Sequence, residues 1–303
     1  MLLSEVTQNI EGTLVKDGEF QTLEYCTGKL KIPFLTFMGN AKFIGQISPY
    51  ASCVLCSEKL VEKLPESVTG IFLSSSPKEV FQQIHNALSK NDAYRRPVRE
   101  SKMGADCQIS ERASISPIGV EIGDRAVIED NVSIYDHVKI GNDCIIRSGA
   151  VIGGKAFTFA RTEGQGILGM EDLGQVVIGD RVEVFSLTHI TKGILPTDVT
   201  YIGDDTKIDA LVQIGHGSKI GERTLIAEGA IIAGNVSIGS DCWVGINATI
   251  SNRITVGDRA RVSLGSVVTK DVMEGQTVTG NFAIEHGNFI ENLKKLVKKP
   301  PCH

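Results

Sequence analysis

Three histidines in the middle of the chain, His137, His189 and His216, have the side chains best suited to chemistry near neutral pH. A neutral imidazole can accept a proton, and it is also a common zinc ligand. Asp209 precedes His216 by seven residues, and a carboxylate in contact with an imidazole fixes its tautomer and stabilises its protonated form. The sequence therefore leaves three interpretations: an acid–base site at His216, a zinc site, or an exposed histidine in a turn.

Two of the seven cysteines, Cys53 and Cys56, have the spacing of half a metal-binding motif. No second pair at metal-site spacing accompanies them, so two reduced thiols in a strand are the better interpretation. The odd number of cysteines and their spread along the chain also disfavour a disulfide framework and indicate a reducing compartment.

The composition excludes several classes of protein. The chain has 303 residues and a net charge of −5, which disfavours a nucleic-acid binder held by a basic surface. No apolar run reaches the roughly 18–20 residues of a membrane helix, and the N-terminus lacks the pattern of a signal peptide. We therefore expect a cytoplasmic protein that has no transmembrane segment and binds no nucleic acid.

An aliphatic residue recurs at every sixth position in two long stretches of the chain. The register runs from Ile122 to Ile152, fails, and resumes from Ile178 to Val268. Fifteen of the sixteen positions in the second stretch are Ile or Val, and the exception is Pro196. Neither a helix nor an ordinary strand has this period, whereas a coil of short strands and turns stacks such residues in an inner column. The pattern predicts a parallel β-helix of hexapeptide repeats.

The segment 153–175 is out of register and contains Phe157 and Phe159 together with several glycines. It is predicted to be a loop ejected from the coil, and long ejected loops often carry function. Residues before and after the coil lack the six-residue period. The sequence therefore divides into a small α/β domain at 1–100, the β-helix at 101–280 and a C-terminal helical tail at 281–303.

Local patterns predict five elements outside the coil. The C-terminal one carries lysines in its last turns, where they complement the helix dipole. The five elements are a helix at 2–11, strands at 51–56 and 69–73, a helix at 77–88 and the C-terminal helix at 289–299.

Four segments resemble the UDP-3-O-acylglucosamine N-acyltransferases of lipid A synthesis. Residues 208–216 (Ile-Asp-Ala-Leu-Val-Gln-Ile-Gly-His) are similar to that family's signature, and residues 35–43 (Leu-Thr-Phe-Met-Gly-Asn-Ala-Lys-Phe) to its uridine-binding segment. Residues 157–161 lie at the position of the family's loop, and residues 280–283 resemble its transition from the coil to the C-terminal helix. The match covers nearly the whole chain in the same domain order, which is more specific than hexapeptides alone.

The resemblance implies a left-handed β-helix and a homotrimer with active sites in clefts between neighbouring coils. It also implies transfer of an acyl chain, delivered on acyl carrier protein, to a UDP-amino sugar, with no metal and no other cofactor. In this family pattern His216 is the general base, and Asp209 is the carboxylate that orients it. Phe37, Asn40 and Phe43 hold the uracil by stacking and hydrogen bonding. An amine that attacks a thioester loses a proton as the bond forms, so a neutral imidazole suits the reaction.

Three hexapeptides make one coil in the resembled fold. Gly234 then lies one coil beyond His216, where its bare N–H group could stabilise the negative charge that develops on the thioester oxygen. Asp198 lies one coil before His216 and is a second candidate partner for the imidazole. By this count His137, His189 and His216 do not share an edge of the coil, which disfavours the zinc site.

Four further side chains are candidates for contacts with the substrate or the acyl donor. Phe157 and Phe159 lie in the ejected loop, and Lys192 and Arg253 could contact phosphate. The simpler interpretation of each charge is a solvated surface residue.

Some positions depart from the family pattern near the proposed cleft. Gly215-His216-Gly217 stands where Ala-His-Asn is usual, and Thr191-Lys192 where Asp-Arg is usual. The acceptor sugar and the acyl chain length are therefore open. Two alternatives remain: an acetyl-CoA- or acyl-CoA-dependent UDP-amino-sugar N-acetyltransferase for surface polysaccharide, and a catalytically silent trimeric scaffold that binds UDP-sugars.

Overall fold

The computed structural model describes residues 1–162, 164, 166–280 and 283–297. Along the chain, a small α/β domain is followed by a long parallel β-helix and then by a C-terminal helix. Among the described residues, no helix is long and apolar enough to cross a membrane.

The N-terminal domain is a five-stranded sheet with the order β1-β5-β4-β3-β2. Only β1 runs antiparallel to its neighbour. The strands are β1 (Thr13–Lys16), β2 (Thr22–Leu23), β3 (Phe34–Met38), β4 (Ala51–Cys56) and β5 (Gly70–Leu73). The helices are α1 (Leu3–Thr7), α2 (Pro77–Leu88) and two 3-10 helices, Ala41–Gln46 and Glu58–Lys63.

The predicted elements of this domain are largely confirmed. Strand β4 and helix α2 have the predicted bounds, and β5 begins one residue late. Helix α1 ends at Thr7, so the prediction of a helix to residue 11 was too long. Strand β1 was missed because all four of its residues are exposed and show no alternation of polar and apolar side chains.

The β-helix has three faces, each a parallel sheet in which every coil pairs with the next. Inward-facing residues such as Ile190, Ile214 and Ile232 are fully buried and form one continuous core. The predicted left-handed parallel β-helix is confirmed.

The first face contains Gln108–Ile109, Val127–Ile128, Ile145–Ile146, Glu183–Val184, Lys207–Ile208, Leu225–Ile226, Trp243–Val244, Arg261–Val262 and Thr277–Val278. The second face contains Ser114–Ile115, Ser133–Ile134, Val151–Gly154, His189–Thr191, Gln213–Ile214, Ile231–Ile232, Thr249–Ile250 and Val267–Val268. The third face contains Lys102–Met103, Val120–Ile122, Val138–Ile140, Gln175–Ile178, Val199–Ile202, Lys219–Ile220, Ser237–Ile238 and Thr255–Val256.

Residues with positive φ turn the chain at the corners between faces. Asn and Asp tolerate this conformation because their short side chains bond to nearby backbone. Arginines also adopt it here, and their guanidinium groups bind the aspartate of the next coil, which links coil to coil. These pairs are Arg125–Asp143, Arg181–Asp205 and Arg223–Asp241.

The expectation that Pro196 occupies a repeat position in the coil is wrong. Ile190 pairs with Ile214, 24 residues later, whereas Ile214 pairs with Ile232, 18 residues later. Residues 192–198 therefore leave the coil as an extra segment, here named the second excursion. They leave because Ile194 and Leu195 are fully buried in a core shared with the N-terminal domain and not in the inner column.

Residues 155–174 form the first excursion, in the region where the sequence predicted an ejected loop. Strands Phe159–Arg161 and Ile167–Gly169 make an antiparallel hairpin in it. The Asn86 side chain on α2 donates to the carbonyl oxygen of Gly169 at 2.7 Å and accepts from the Glu171 N–H group at 3.0 Å. Both excursions thus attach the N-terminal domain to the β-helix.

The C-terminal helix α3 spans His286–Val297. The predicted helix at 289–299 is confirmed over its described part, and its last two lysines, Lys298 and Lys299, lie outside the described residues. Asn281 and Phe282, in the predicted transition from the coil, also lie outside them.

Candidate active site

A pocket of about 420 Å³ opens at the corner between the second and third faces, here named the His216 corner. Strands of three successive coils and the start of the first excursion enclose it. The pocket is lined by Lys155, Ala156, Phe157, His189, Thr191, Gln213, Gly215, His216, Ile231, Ile232, Ala233 and Gly234.

The His216 ring lies directly against the backbone of Gly234. A Cβ atom on Gly234 would lie 2.5 Å from the His216 Nε2 atom, so only glycine fits beside this ring. The carbonyl oxygen of His216 accepts a hydrogen bond from the Asn235 N–H group at 2.7 Å. The prediction that positions 216 and 234 lie one coil apart is therefore confirmed. Among the described residues, the Gly234 N–H group donates no hydrogen bond.

The environment of His216 favours the neutral imidazole. Burial, and secondarily the positive charge of Arg253, lower the pKa of His216 below its ordinary value. The Nδ1 atom is buried and has no hydrogen-bond partner among the described residues. The histidine is thus not the freely exposed turn residue of the simplest interpretation.

Within one chain, the Asp209 carboxylate does not contact the His216 imidazole. Asp209 follows Ile208 at the corner between the first and second faces, and its Oδ1 atom accepts from the Ala210 N–H group at 2.8 Å. Asp198, the second candidate, ends the second excursion, and its Oδ2 atom accepts from the Leu195 N–H group at 3.1 Å. The orienting roles of both carboxylates stay predictions.

The two predicted phosphate contacts occupy different surroundings. Lys192 is buried and forms an ion pair with Asp136, so its ammonium group already has a partner. The Arg253 guanidinium lies 5.5 Å from the ring centroid of Tyr25 in the N-terminal domain. Arg253 thus links that domain to the coil beside His216, since its charge also acts on the imidazole.

Phe157 and Phe159 form an aromatic pair in the first excursion. Their rings lie 4.9 Å apart in an edge-to-face arrangement, and the side chain of Phe157 is 92% exposed. Because Phe157 also lines the pocket, a bound ligand could cover this apolar surface.

The three residues expected to bind uracil lie at the C-terminal end of β3 and just after it. Phe37 packs against Phe81 with ring centroids 5.0 Å apart. The Asn40 Oδ1 atom accepts a hydrogen bond from the Lys42 N–H group at 3.0 Å. Asn40 thereby caps the start of the first 3-10 helix. The Lys42 ammonium lies 4.8 Å from the ring centroid of Phe43. None of the three lines the His216 pocket of the same chain, and their role stays a prediction.

Sequence reasoning missed His189 as a neighbour of the site. The His189 Nδ1 atom lies 3.0 Å from Oε1 of Gln213, and both residues line the pocket with His216. Counting coils of equal length could not find this contact, because the second excursion lengthens that coil from 18 to 24 residues. His137 lies in a different pocket, beside Arg96 and Lys139. The described residues contain no group of three or more His, Cys, Asp or Glu that could hold a metal ion.

Comparisons with known proteins agree with this architecture. A family model described as bacterial transferase hexapeptide (six repeats) matches residues 119–154 and 200–234, and a hexapeptide repeat of succinyl-transferase matches residues 235–270. A UDP-3-O-acylglucosamine N-acyltransferase of Coxiella burnetii is 30% identical over 218 residues, which are 64% of this chain and 62% of the relative. One of Chromohalobacter salexigens is 44% identical over 94 residues, 31% of this chain and 26% of the relative.

Solved structures share the fold. A UDP-N-acetylglucosamine acyltransferase from Campylobacter jejuni aligns with a TM-score of 0.54 and 22% identity, over 65% of this chain and 79% of that one. Its counterpart from Arabidopsis aligns with a TM-score of 0.54 and 26% identity, over 60% of this chain and 62% of that one.

The β-helix and the matched repeats define the chain as a hexapeptide-repeat protein with the fold of known acyltransferases. Two of the matched relatives are named UDP-3-O-acylglucosamine N-acyltransferases, which confirms the resemblance to that family predicted from the sequence. The chain spans 62% of the length of the Coxiella relative.

Proposed function

We propose that this protein is an N-acyltransferase that moves an acyl chain from a thioester to the amine of a UDP-3-O-acylglucosamine-type sugar. The observation that carries the proposal is the His216 pocket. It holds a half-buried imidazole whose pKa is lowered, directly against the bare backbone of Gly234. A neutral base beside a backbone N–H donor is the arrangement that acyl transfer to an amine requires.

The reaction assigns a role to each group. The amine nitrogen attacks the thioester carbonyl carbon, and the electron pair of the C=O bond moves to oxygen. His216 takes the proton that the amine loses, and the Gly234 N–H group stabilises the oxyanion. When the intermediate collapses, the C–S bond breaks and the departing sulfur takes the proton from the imidazolium. Because a thioester is already activated, the step needs no metal or other cofactor.

The acceptor is proposed from the curated relatives, which are named for UDP-3-O-acylglucosamine. For the donor we propose a 3-hydroxyacyl chain on acyl carrier protein, as the family resemblance implies. Phe157 and Ile231 are exposed apolar side chains of the pocket lining, and Val267 is exposed two coils further along the second face. An acyl chain that leaves the pocket along the second face would cover these side chains.

The uridine part of the substrate is assigned to Phe37, Asn40 and Phe43 by their similarity to the family's segment. Phe43 tests the assignment best, since its ring is half-buried and Phe37 already packs within the domain. Titration calorimetry with UDP should show weaker binding to Phe43→Ala than to the wild type. Unchanged affinity would contradict the uridine assignment.

We further propose a homotrimer in the cytoplasm, in which a neighbouring copy completes the site. Exposed leucines and an isoleucine form a stripe, here named the apolar corner, between the first and second faces, and the exposed Glu228 interrupts it. Asp209 lies at this same corner. If a neighbouring copy places its apolar corner against the His216 corner, the neighbour's Asp209 comes close to the His216 ring. A rotation of that ring would then expose its buried Nδ1 atom, which lacks a partner, to the carboxylate. The stripe consists of Leu187, Leu211, Ile246 and Leu264.

Mass spectrometry of the products tests the proposed function. The purified protein is given UDP-3-O-acylglucosamine together with 3-hydroxyacyl carrier protein or acetyl-CoA in separate reactions. We expect N-acylation with the carrier protein and none with acetyl-CoA. Product from acetyl-CoA alone would support the short-chain N-acetyltransferase. UDP binding without product from either donor, over a panel of UDP-amino sugars, would support the silent scaffold.

A further inference from the structure

His189 and Gln213 form a hydrogen-bonded pair whose geometry fixes the proton on the imidazole. The Gln213 Nε2 atom donates to the carbonyl oxygen of Ile214 at 3.2 Å. A carbonyl oxygen can only accept, so the NH₂ group of this amide faces Ile214 and its oxygen faces the ring of His189. The His189 Nδ1 atom, 3.0 Å from that oxygen, must therefore carry the proton. In the neutral ring Nε2 is then a hydrogen-bond acceptor.

The Nε2 side of the ring faces the start of the first excursion. A Cβ atom on Gly154 would clash with this nitrogen, so the glycine leaves the imidazole room. His189 lines the same pocket as His216 and belongs to the column of outward residues on the second face that continues through Gln213 and Ile231. Among the described residues, no side chain or backbone N–H group donates to Nε2.

We propose that His189 is a binding residue for the acceptor sugar. Its Nε2 atom accepts a hydrogen bond from a hydroxyl group of the amino sugar and so strengthens binding of the acceptor beside His216. This inference rests on the proposed function and adds a residue that determines acceptor specificity. The partner of the His189 Nδ1 atom is the amide oxygen of Gln213, and a neutral amide stabilises an imidazolium much less than a carboxylate does. His189 is therefore better suited to bind the sugar than to act as a second general base.

Substitutions at His189 separate this role from a structural one. In His189→Leu, which removes the acceptor at similar volume, KM for the UDP-amino sugar should rise about five- to tenfold while kcat changes much less. His189→Gln restores an acceptor oxygen and should recover most of the loss. Gln213→Leu removes the oxygen that keeps the proton on Nδ1 of His189, so the ring can adopt either neutral tautomer. The rise in KM should then be intermediate between those of the wild type and His189→Leu. Ser133→Ala, two coils earlier in the same column, is the matched control and should behave as the wild type.

Direct binding provides a second readout that does not depend on turnover. Titration calorimetry should show that His189→Leu weakens binding of UDP-3-O-acylglucosamine but not of UDP alone. Equal binding of the sugar nucleotide, or an equal loss for UDP and the sugar nucleotide, would overturn the inference. A wild-type protein that binds the sugar nucleotide without transferring any acyl group would refute the proposed function, and the calorimetry would still decide the role of His189. A wild-type protein that binds neither UDP nor the sugar nucleotide would overturn both the proposed function and the role of His189.

Discussion

At the scale of single residues, the proposed reaction depends on a neutral imidazole. Burial and Arg253 both disfavour the charged form of His216. The sequence could predict this histidine from the resemblance of residues 208–216 to the family signature, and the glycine one coil beyond it from the length of a coil. It could not predict that the Nδ1 atom of His216 lacks a partner, because that depends on which corner of the coil carries each carboxylate.

The pH dependence of transfer tests this residue-level account. His216 must be neutral to accept a proton, so the acidic limb of the kcat/KM profile should follow its pKa, which burial and the charge of Arg253 lower within one chain. Arg253→Gln removes one cause of the lowering and should move that limb to higher pH. Arg259→Gln, an exposed corner arginine paired with Glu274, is the control and should leave it in place. A limb that stays fixed or moves to lower pH in Arg253→Gln would contradict the account.

At the scale of elements, two excursions from the coil position the pocket. The repeat itself was predictable because each inward side chain is determined locally by the six-residue period. The second excursion was not, because Ile194 and Leu195 look like repeat residues but bury against the N-terminal domain. Their burial depends on contacts with residues far apart in the chain, which a periodic count does not contain. Helix α2 was predictable from its apolar spacing, but its attachment to the first excursion was not.

Removal of the Asn86 side chain should loosen the first excursion. Asn86→Ala loses its hydrogen bonds to Gly169, the last residue of the hairpin, and to Glu171 just after it, which should cost about 1–3 kcal/mol of docking free energy. Limited proteolysis should then cut the first excursion faster than in the wild type, and transfer should slow because Lys155 and Phe157 line the pocket. Lys78→Ala, an exposed position on the same helix, serves as the control. Equal proteolysis of Asn86→Ala and wild type would show that the docking does not depend on these bonds.

At the scale of the whole molecule, the chain has the His216 pocket on one corner and exposed apolar side chains on another. The stripe of exposed side chains at the apolar corner is costly in water unless another copy covers it. Assembly through this corner would place Asp209 at a subunit boundary and explain why the structure keeps it away from His216 in the same chain.

A charge on the apolar corner should therefore prevent assembly. In Leu264→Glu the buried interface would contain an unpaired carboxylate, so sedimentation should show monomers where the wild type shows trimers, and transfer should be lost. Val15→Glu, an exposed apolar position on β1 away from the coil, should leave the trimer intact. A trimeric Leu264→Glu would contradict assembly through the apolar corner.

The central claim is that His216 takes the proton from the attacking amine. The most direct measurement compares wild type and His216→Ala in single-turnover transfer to UDP-3-O-acylglucosamine, followed by mass spectrometry, with thermal melting to confirm the fold. Because general-base catalysis contributes roughly 10²–10⁴-fold, the variant should lose at least two orders of magnitude in rate and keep its melting temperature. A folded His216→Ala that transfers the acyl group at nearly the wild-type rate would contradict the account.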